Sequence, residues 1–382
     1  MSKTFLFFAA QYLPTAGGVE RYTYNLAKRV IAAGNEAVVV TSALPGLPSH
    51  EIDLDGIEIF RLPSVLWMGG RFPIIKLGKA FSELTKEVWS KKVDFCVINT
   101  YFYPLSLYAA AQVKRRGIKA IAINHGSAYL MTGNQFVALC GKIYEQCAAR
   151  FVAWKCPDIY GVSGAACAWM KTFGVQTQAI LSNAIDPQEV QEIASAEVFD
   201  WRAEYNLAKE SKIIAFVGRL IPEKGVLALA SALPELQKSQ PDAVMILAGE
   251  GALFDTLQMA QVKGLYLAGK QSYARTLALF AQSDLFCLPT RSEGFACTVL
   301  EAAALHCPIA TTATGGSPQL LKDEMHGILM SDMSPGAVVS ACEKVLCDEV
   351  WRVQAADKTY RVLTDCYTWE QVAKQLLALP EN

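Results

Sequence analysis

The sequence predicts an α/β protein built from two βαβ-type domains in tandem, each with a parallel sheet. Three observations carry this. Short, almost wholly apolar runs recur at residues 5–10, 93–98, 212–217 and 243–248, as strands buried on both faces require. Three of them, all but 93–98, run into glycine-bearing loops, and each leads on to a segment with apolar residues at helical spacing. Between the two series, polar and charged sequence extends from about 186 to 211, where a linker and a domain boundary belong. Two such domains facing each other make a cleft, the usual place for a ligand.

Composition limits the function classes. The 382 residues are 52% hydrophobic with a net charge of −1, enough for large cores and too little positive charge for nucleic acid as the main partner. The 11 cysteines form no C-x-x-C and are scattered singly, which reads as buried free thiols in a reducing cytosol rather than disulfides or zinc ligands. The apolar start of the chain is short and leads into Gln11-Tyr-Leu-Pro14, so it reads as a first strand and not a signal peptide. The uncharged run 95–113 contains Asn99, Pro104 and Gln112 and splits into strand, loop and helix, not a membrane span.

In the first domain, the strand at 5–10 leads to a loop ending in Gly17-Gly18, then a helix with Val19, Tyr22, Thr23, Leu26 and Val30 on one face, then a strand at 37–41. The loop is not G-x-G-x-x-G and no acidic residue follows the second strand directly, so a nicotinamide fingerprint is absent. Gly17-Gly18 reads as a tight turn or as a close approach to phosphate. Asp53-Leu-Asp55 matches a metal-holding D-x-D, but its place before Gly56 and a short alternating strand reads as a solvated turn. Residues 65–78, with Trp67, Met68, Phe72, Ile74 and Ile75 near Arg71, Lys76 and Lys79, allow two readings: a membrane-touching surface, or a loop and helix face packed on the core. His125 follows the strand at 119–123, on the carboxyl edge where open α/β sheets bind ligands, and reads as functional. Gly161-Val-Ser163-Gly-Ala165 resembles a nucleophile elbow; the other reading makes Ser163 a helix N-cap.

The second domain repeats the pattern. After the strand at 212–217 come Arg219 and Lys224 in a glycine-bearing loop, two cations suited to a diphosphate. The strand at 284–288 runs into Arg291-Ser-Glu293-Gly294-Phe295-Ala296-Cys297, with a helix beginning near Cys297. A helix N-terminus attracts anions through its unpaired N–H groups and dipole. The carboxylate of Glu293 suits hydroxyls, so a phosphorylated sugar satisfies both halves of the loop. Glu293 and Glu301, eight apart, would lie about 12 Å apart along a helix, beyond the roughly 5–9.5 Å of a glycoside hydrolase pair. They read instead as acceptors for two parts of one ligand. A final amphipathic helix spans 369–379.

The spacing from Glu293 to Glu301, Gly-Arg219-Leu with Glu-Lys224-Gly, Gly-Gly-Val-Glu20, Ser-Asn183-Ala-Ile-Asp and Thr-Gly315-Gly316-Ser-Pro together resemble the retaining glycosyltransferases of family 4. The resemblance covers nearly the whole chain and is densest over 212–321. It implies the GT-B fold, with a Rossmann-like acceptor domain at 1–184, a Rossmann-like donor domain at 185–365, and a helix at about 366–382 packing back on the first. It also implies residue roles. Gly17 and Gly18 approach the donor phosphates, and Arg219 and Lys224 neutralise the diphosphate. Glu293 holds sugar hydroxyls and Glu301 the ribose. Backbone at Gly294, Phe295, Ala296 and Cys297 binds sugar and phosphate. Lys270 and Gln271 meet the base, and His125 sits near the reacting sugar. No metal or cofactor is implied; the donor is a UDP- or GDP-sugar. The acceptor is a glycan or polyprenyl-linked glycan, with the protein cytoplasmic and in peripheral contact with the inner membrane. Gly-Phe-Ala-Cys after Glu293 is less glycine-rich than in many members, and Gln319 stands where many carry Glu. A sugar-nucleotide epimerase and a non-catalytic nucleotide-sugar-binding subunit are the alternatives.

Overall fold

The structure, a computed structural model, describes residues 2–15, 17–67, 70, 72–129 and 135–381. The chain forms two compact units, residues 1–183 with 369–382, and residues 184–368.

The first unit holds strands β1 Thr4–Ala9, β2 Glu36–Ser42, β3 His50–Ile52, β4 Glu58–Leu62, β5 Ser64–Trp67, β6 Phe72–Ile75, β7 Phe95–Asn99, β8 Ala120–Asn124, β9 Asp158–Gly161 and β10 Ala179–Ile180. Eight of them form one sheet in the order β10-β9-β8-β7-β1-β2-β4-β3. Pairing is parallel except for β3 on β4. The central β1 is buried on both faces, and Phe5, Phe7 and Phe8 are no more than 1% exposed. Burial of each contributes roughly 1.5–3 kcal/mol. From β1 the chain lays β2 and β4 on one side, then returns to lay β7 to β10 on the other. The carboxyl ends of β1 and β7 therefore form the switch point where the loops diverge and a crevice opens. The helix Trp369–Ala378 packs on the helix Gly18–Ala32 within this unit, through Trp369 against Tyr22 at 5.7 Å and Glu370 with Arg29 at 3.3 Å.

Within 65–78 the described residues are chiefly extended, with irregular backbone only at 70 and 76–78, and the helix begins at Lys79. β5 and β6 form a separate antiparallel hairpin, because Val65, Trp67, Phe72 and Ile74 are strand formers brought face to face in register. Met68 and Arg71 lie outside the described residues.

The second unit holds β11 Lys212–Val217, β12 Ala243–Ala248, β13 Leu265–Gly269, β14 Leu285–Leu288, β15 Ile309–Thr312 and β16 Ile328–Met330, all parallel, in the order β13-β12-β11-β14-β15-β16. Its switch point lies between β11 and β14. The linker expected up to about 211 is not a linker. It carries the helices Pro187–Ala196 and Trp201–Glu204. Trp201 is 1% exposed, with its indole N–H donating to the Arg275 carbonyl at 3.1 Å. Polar composition hid one large apolar anchor and the caps Asp186 and Asp200, whose carboxylates accept the first helical N–H groups.

Candidate active site

At the switch point of the second unit, the loops after β11, β14 and β15 lie against one another. Lys224 ends a short 3-10 turn, Pro222–Lys224. Gly225 follows with φ +68°, and a Cβ there would meet the Pro289 carbonyl oxygen at 2.1 Å. Only glycine fits that left-handed position against the neighbouring backbone. The Arg291 N–H donates to the Glu223 carbonyl at 2.8 Å, tying the first two loops together. Gly316 lies on the Phe295 ring, which a Cβ would meet at 2.3 Å. Close backbone approach, rather than flexibility, explains the glycines of this cluster.

The loops bring Lys224 and Glu293 into direct contact: the ammonium donates to the carboxylate. The two side chains are 15% and 14% exposed. Sequence reasoning gave them separate tasks, a phosphate cation and a hydroxyl acceptor, and missed that they are partners. They lie 69 residues apart, and only the juxtaposition of β11 and β14 brings them together. Beside them the helix Cys297–Ala304 starts at Ala296 with no side-chain cap. The arrangement offers a cation, a carboxylate and a helix start in one small space.

The remaining predicted residues take distinct places. Arg219 is exposed and has no ion-pair partner among the described residues. Glu301 is buried, at 5% exposure, on the helix that begins at Cys297. The Phe295 side chain is core, 3% exposed and edge-on to Tyr367 at 5.1 Å, so only its backbone can face a ligand. Ala296 is buried; Gly294 and Cys297 are partly exposed. Lys270 is exposed just beyond β13, and the Gln271 amide turns back to the Ala268 carbonyl.

In the first unit, His125 leaves β8 and Asn99 ends β7. Thr100, next in the chain, is left-handed at φ +68°, an uncommon conformation for a β-branched residue, held by its N–H on the Ile123 carbonyl at 2.8 Å. A relay of hydrogen bonds orients the imidazole. Thr23 Oγ1 donates to the Val19 carbonyl at 2.8 Å and accepts from Asn99 Nδ2 at 3.0 Å. Asn99 Oδ1 therefore faces His125 Nε2, at 2.9 Å, and that nitrogen carries the proton. Nδ1 is left as the acceptor. Tyr22 packs edge-on to the ring at 4.8 Å and fixes itself by donating to the Leu181 carbonyl at 3.1 Å. Burial lowers the imidazole pKa to about 3, so the ring is neutral at physiological pH. Asn99, Thr23 and Tyr22 were missed from sequence; a polar residue closing the apolar strand at Asn99 was the available signal.

At the Gly17-Gly18 loop, Gly17 has extended backbone at φ −166° and gives room to Glu20, whose carboxylate lies 2.1 Å from where a Cβ would be. Glu20 is 6% exposed, and burial raises its pKa. Asp53 closes a turn, accepting from the N–H groups of Asp55 and Ile57 at 3.0 and 2.9 Å, while Asp55 is taken up by Tyr24 and Lys28. Ser163 caps its helix, accepting from the Ala166 N–H at 3.1 Å, and is fully buried, which removes the nucleophile reading. Of the cysteines, Cys140, Cys147, Cys347 and Cys366 are exposed rather than buried, because they fall on the outer faces of helices.

Comparison with known proteins matches residues 197–362 to the glycosyl transferases group 1 family and residues 16–189 to glycosyltransferase family 4. An uncharacterized glycosyltransferase of Methanocaldococcus jannaschii is 22% identical over 97% of this chain and 96% of its own length. Among solved structures, sucrose-phosphate synthase of Thermosynechococcus elongatus superposes with a TM-score of 0.76 at 17% identity, over 99% of this chain and 98% of that one. The Anabaena protein HepE, in complex with UDP-glucose, gives a TM-score of 0.73 at 16% identity, over 98% of each chain.

Proposed function

This chain belongs to the family 4 glycosyltransferases and has the GT-B fold, and from that premise we propose that it moves a hexose-type sugar from a UDP- or GDP-sugar to a hydroxyl of a glycan or lipid-linked glycan, with retention at the anomeric carbon and without a metal. The observation that carries this is the contact between Lys224 and Glu293 beside the start of the helix Cys297–Ala304. A bound donor gives each partner a replacement: phosphate oxygens for Lys224, sugar hydroxyls for Glu293.

The bond between the anomeric carbon and the β-phosphate oxygen breaks. The acceptor oxygen bonds to that carbon from the same face. The departing phosphate oxygen takes the acceptor's proton. Lys224, Arg219 and the helix N–H groups stabilise the charge that develops on the diphosphate. His125, neutral and with Nδ1 as acceptor, receives a hydrogen bond from a sugar hydroxyl and takes no part in proton transfer. Glu301 takes the ribose, and Lys270 and Gln271 the base.

A thermal-shift screen against nucleotide sugars tests the donor. A donor at 100 times its Kd adds about 2.7 kcal/mol of stability. A shift with UDP- or GDP-sugars, followed by transfer to an acceptor, is the expected outcome. Interconversion of the sugar without an acceptor makes the protein an epimerase, and donor binding without turnover on any acceptor makes it a binding subunit.

A further inference from the structure

We propose that the first unit docks on an anionic phospholipid surface through the outer face of the helix Gln135–Lys155 and the neighbouring β5–β6 hairpin. On the helix, Phe136, Leu139, Cys140, Ile143, Cys147 and Trp154 recur at helical spacing and are exposed. Phe136 is 74% and Trp154 68% exposed. At 100° per residue these six fall within an arc of about 100°. The opposite side, through Glu145, Ala148, Ala149 and Val152, is buried in the core. A helix buried along one side and apolar along the side left facing water needs a partner for the second.

The hairpin extends the same surface. Phe72 of β6 packs on Tyr144 of the helix at 6.0 Å, while Val65, Trp67, Ile74 and Leu77 are exposed. Ten of the nineteen exposed large hydrophobic residues on the described chain lie on these two segments, so the exposure is concentrated rather than scattered.

Charge selects the occupant. Residues 64–77 contain no carboxylate, and residues 135–155 contain one, Glu145, which is 1% exposed. Lys76 and Lys142 are exposed, Arg150 lies on the outward stripe, and Lys155 stands over the Trp154 ring at 3.5 Å. A chain with a net charge of −1 has thus kept acids off this apolar face and left cations on it. Apolar side chains with indoles, fringed by Lys and Arg, suit the boundary between acyl chains and anionic headgroups. Among the described residues no helix is long and apolar enough to cross a membrane, so contact is along the surface.

The test is cosedimentation of the full chain with phosphatidylcholine vesicles, with and without phosphatidylglycerol. Binding that requires phosphatidylglycerol and weakens with salt is expected. The pair F136D and I143D should weaken it about tenfold or more, with an unchanged circular dichroism spectrum. V350D with V353D, an exposed apolar pair on the helix Glu349–Cys366, should bind like the unaltered chain. Absence of vesicle binding, equal binding to neutral vesicles, or unchanged binding by F136D/I143D overturns the proposal. So does a dimer that F136D/I143D dissociates while neither form binds vesicles. The donor-induced thermal shift should be the same in F136D/I143D, so the surface and the sugar site stand or fall separately.

Discussion

Replacing Lys224 with Ala tests the paired site most sharply, because stability and turnover should respond differently. With Lys224 and Glu293 only 15% and 14% exposed, removing the ammonium takes the cation away from a nearly buried carboxylate. Breaking a fully buried pair costs about 3–5 kcal/mol; the remaining exposure reduces this to about 2 kcal/mol. At roughly 2–4 °C per kcal/mol, the midpoint of unfolding should fall by about 4–8 °C. Turnover should fall by about 10²–10³, the cost of deleting one group that stabilises developing charge. Adding Glu293→Gln removes the carboxylate's charge along with its cation, so K224A/E293Q should recover most of the lost stability while turnover stays low. Thermal melts and initial rates on the four forms complete the cycle. Unaltered turnover in folded K224A, or recovery of turnover in the double variant, would refute the assignment.

Three further outcomes follow from the geometry. The depressed pKa of His125 means that the unfolded chain binds a proton there and the folded chain does not between about pH 3 and 6.5. Stability from this residue is complete above pH 6.5 and declines as pH falls, by up to about 1.4 kcal/mol per pH unit; urea titrations should show this slope reduced in H125N, and an equal slope in H125N excludes the effect. Gly225→Ala places a Cβ 2.1 Å from the Pro289 carbonyl in a left-handed turn, and should cost at least about 2 kcal/mol and abolish the donor-induced thermal shift; a melt within a degree of the unaltered chain contradicts it. Ser163→Ala removes an N-cap and should cost about 1 kcal/mol with turnover intact; complete loss of turnover in a folded variant would restore the nucleophile reading.

Much of the fold was legible because parallel strands buried on both faces are written as continuous apolar runs. β11 and β12 span the same residues as the runs read from the sequence, 212–217 and 243–248. The segment 187–204 was not legible, since its helices depend on Trp201 and on capping carboxylates within a polar background. The β5–β6 hairpin was missed because its apolar residues suit a strand or a buried helix face equally. In the site, motif spacing singled out Lys224 and Glu293 one at a time; strand order made them a pair. His125 stood out by its place after a strand. Its orientation depends on Asn99, Thr23 and Tyr22, which come from other elements, and no local pattern in the chain ties them to it.

The most direct measurement follows the anomeric proton by NMR during the first turnovers of a UDP- or GDP-sugar with a glycan acceptor. Product appearing first with the donor's own anomeric configuration, at a rate that K224A reduces about 10²-fold or more, is the predicted result. Product appearing first with the opposite configuration, or equal rates for K224A and the unaltered chain, contradicts it.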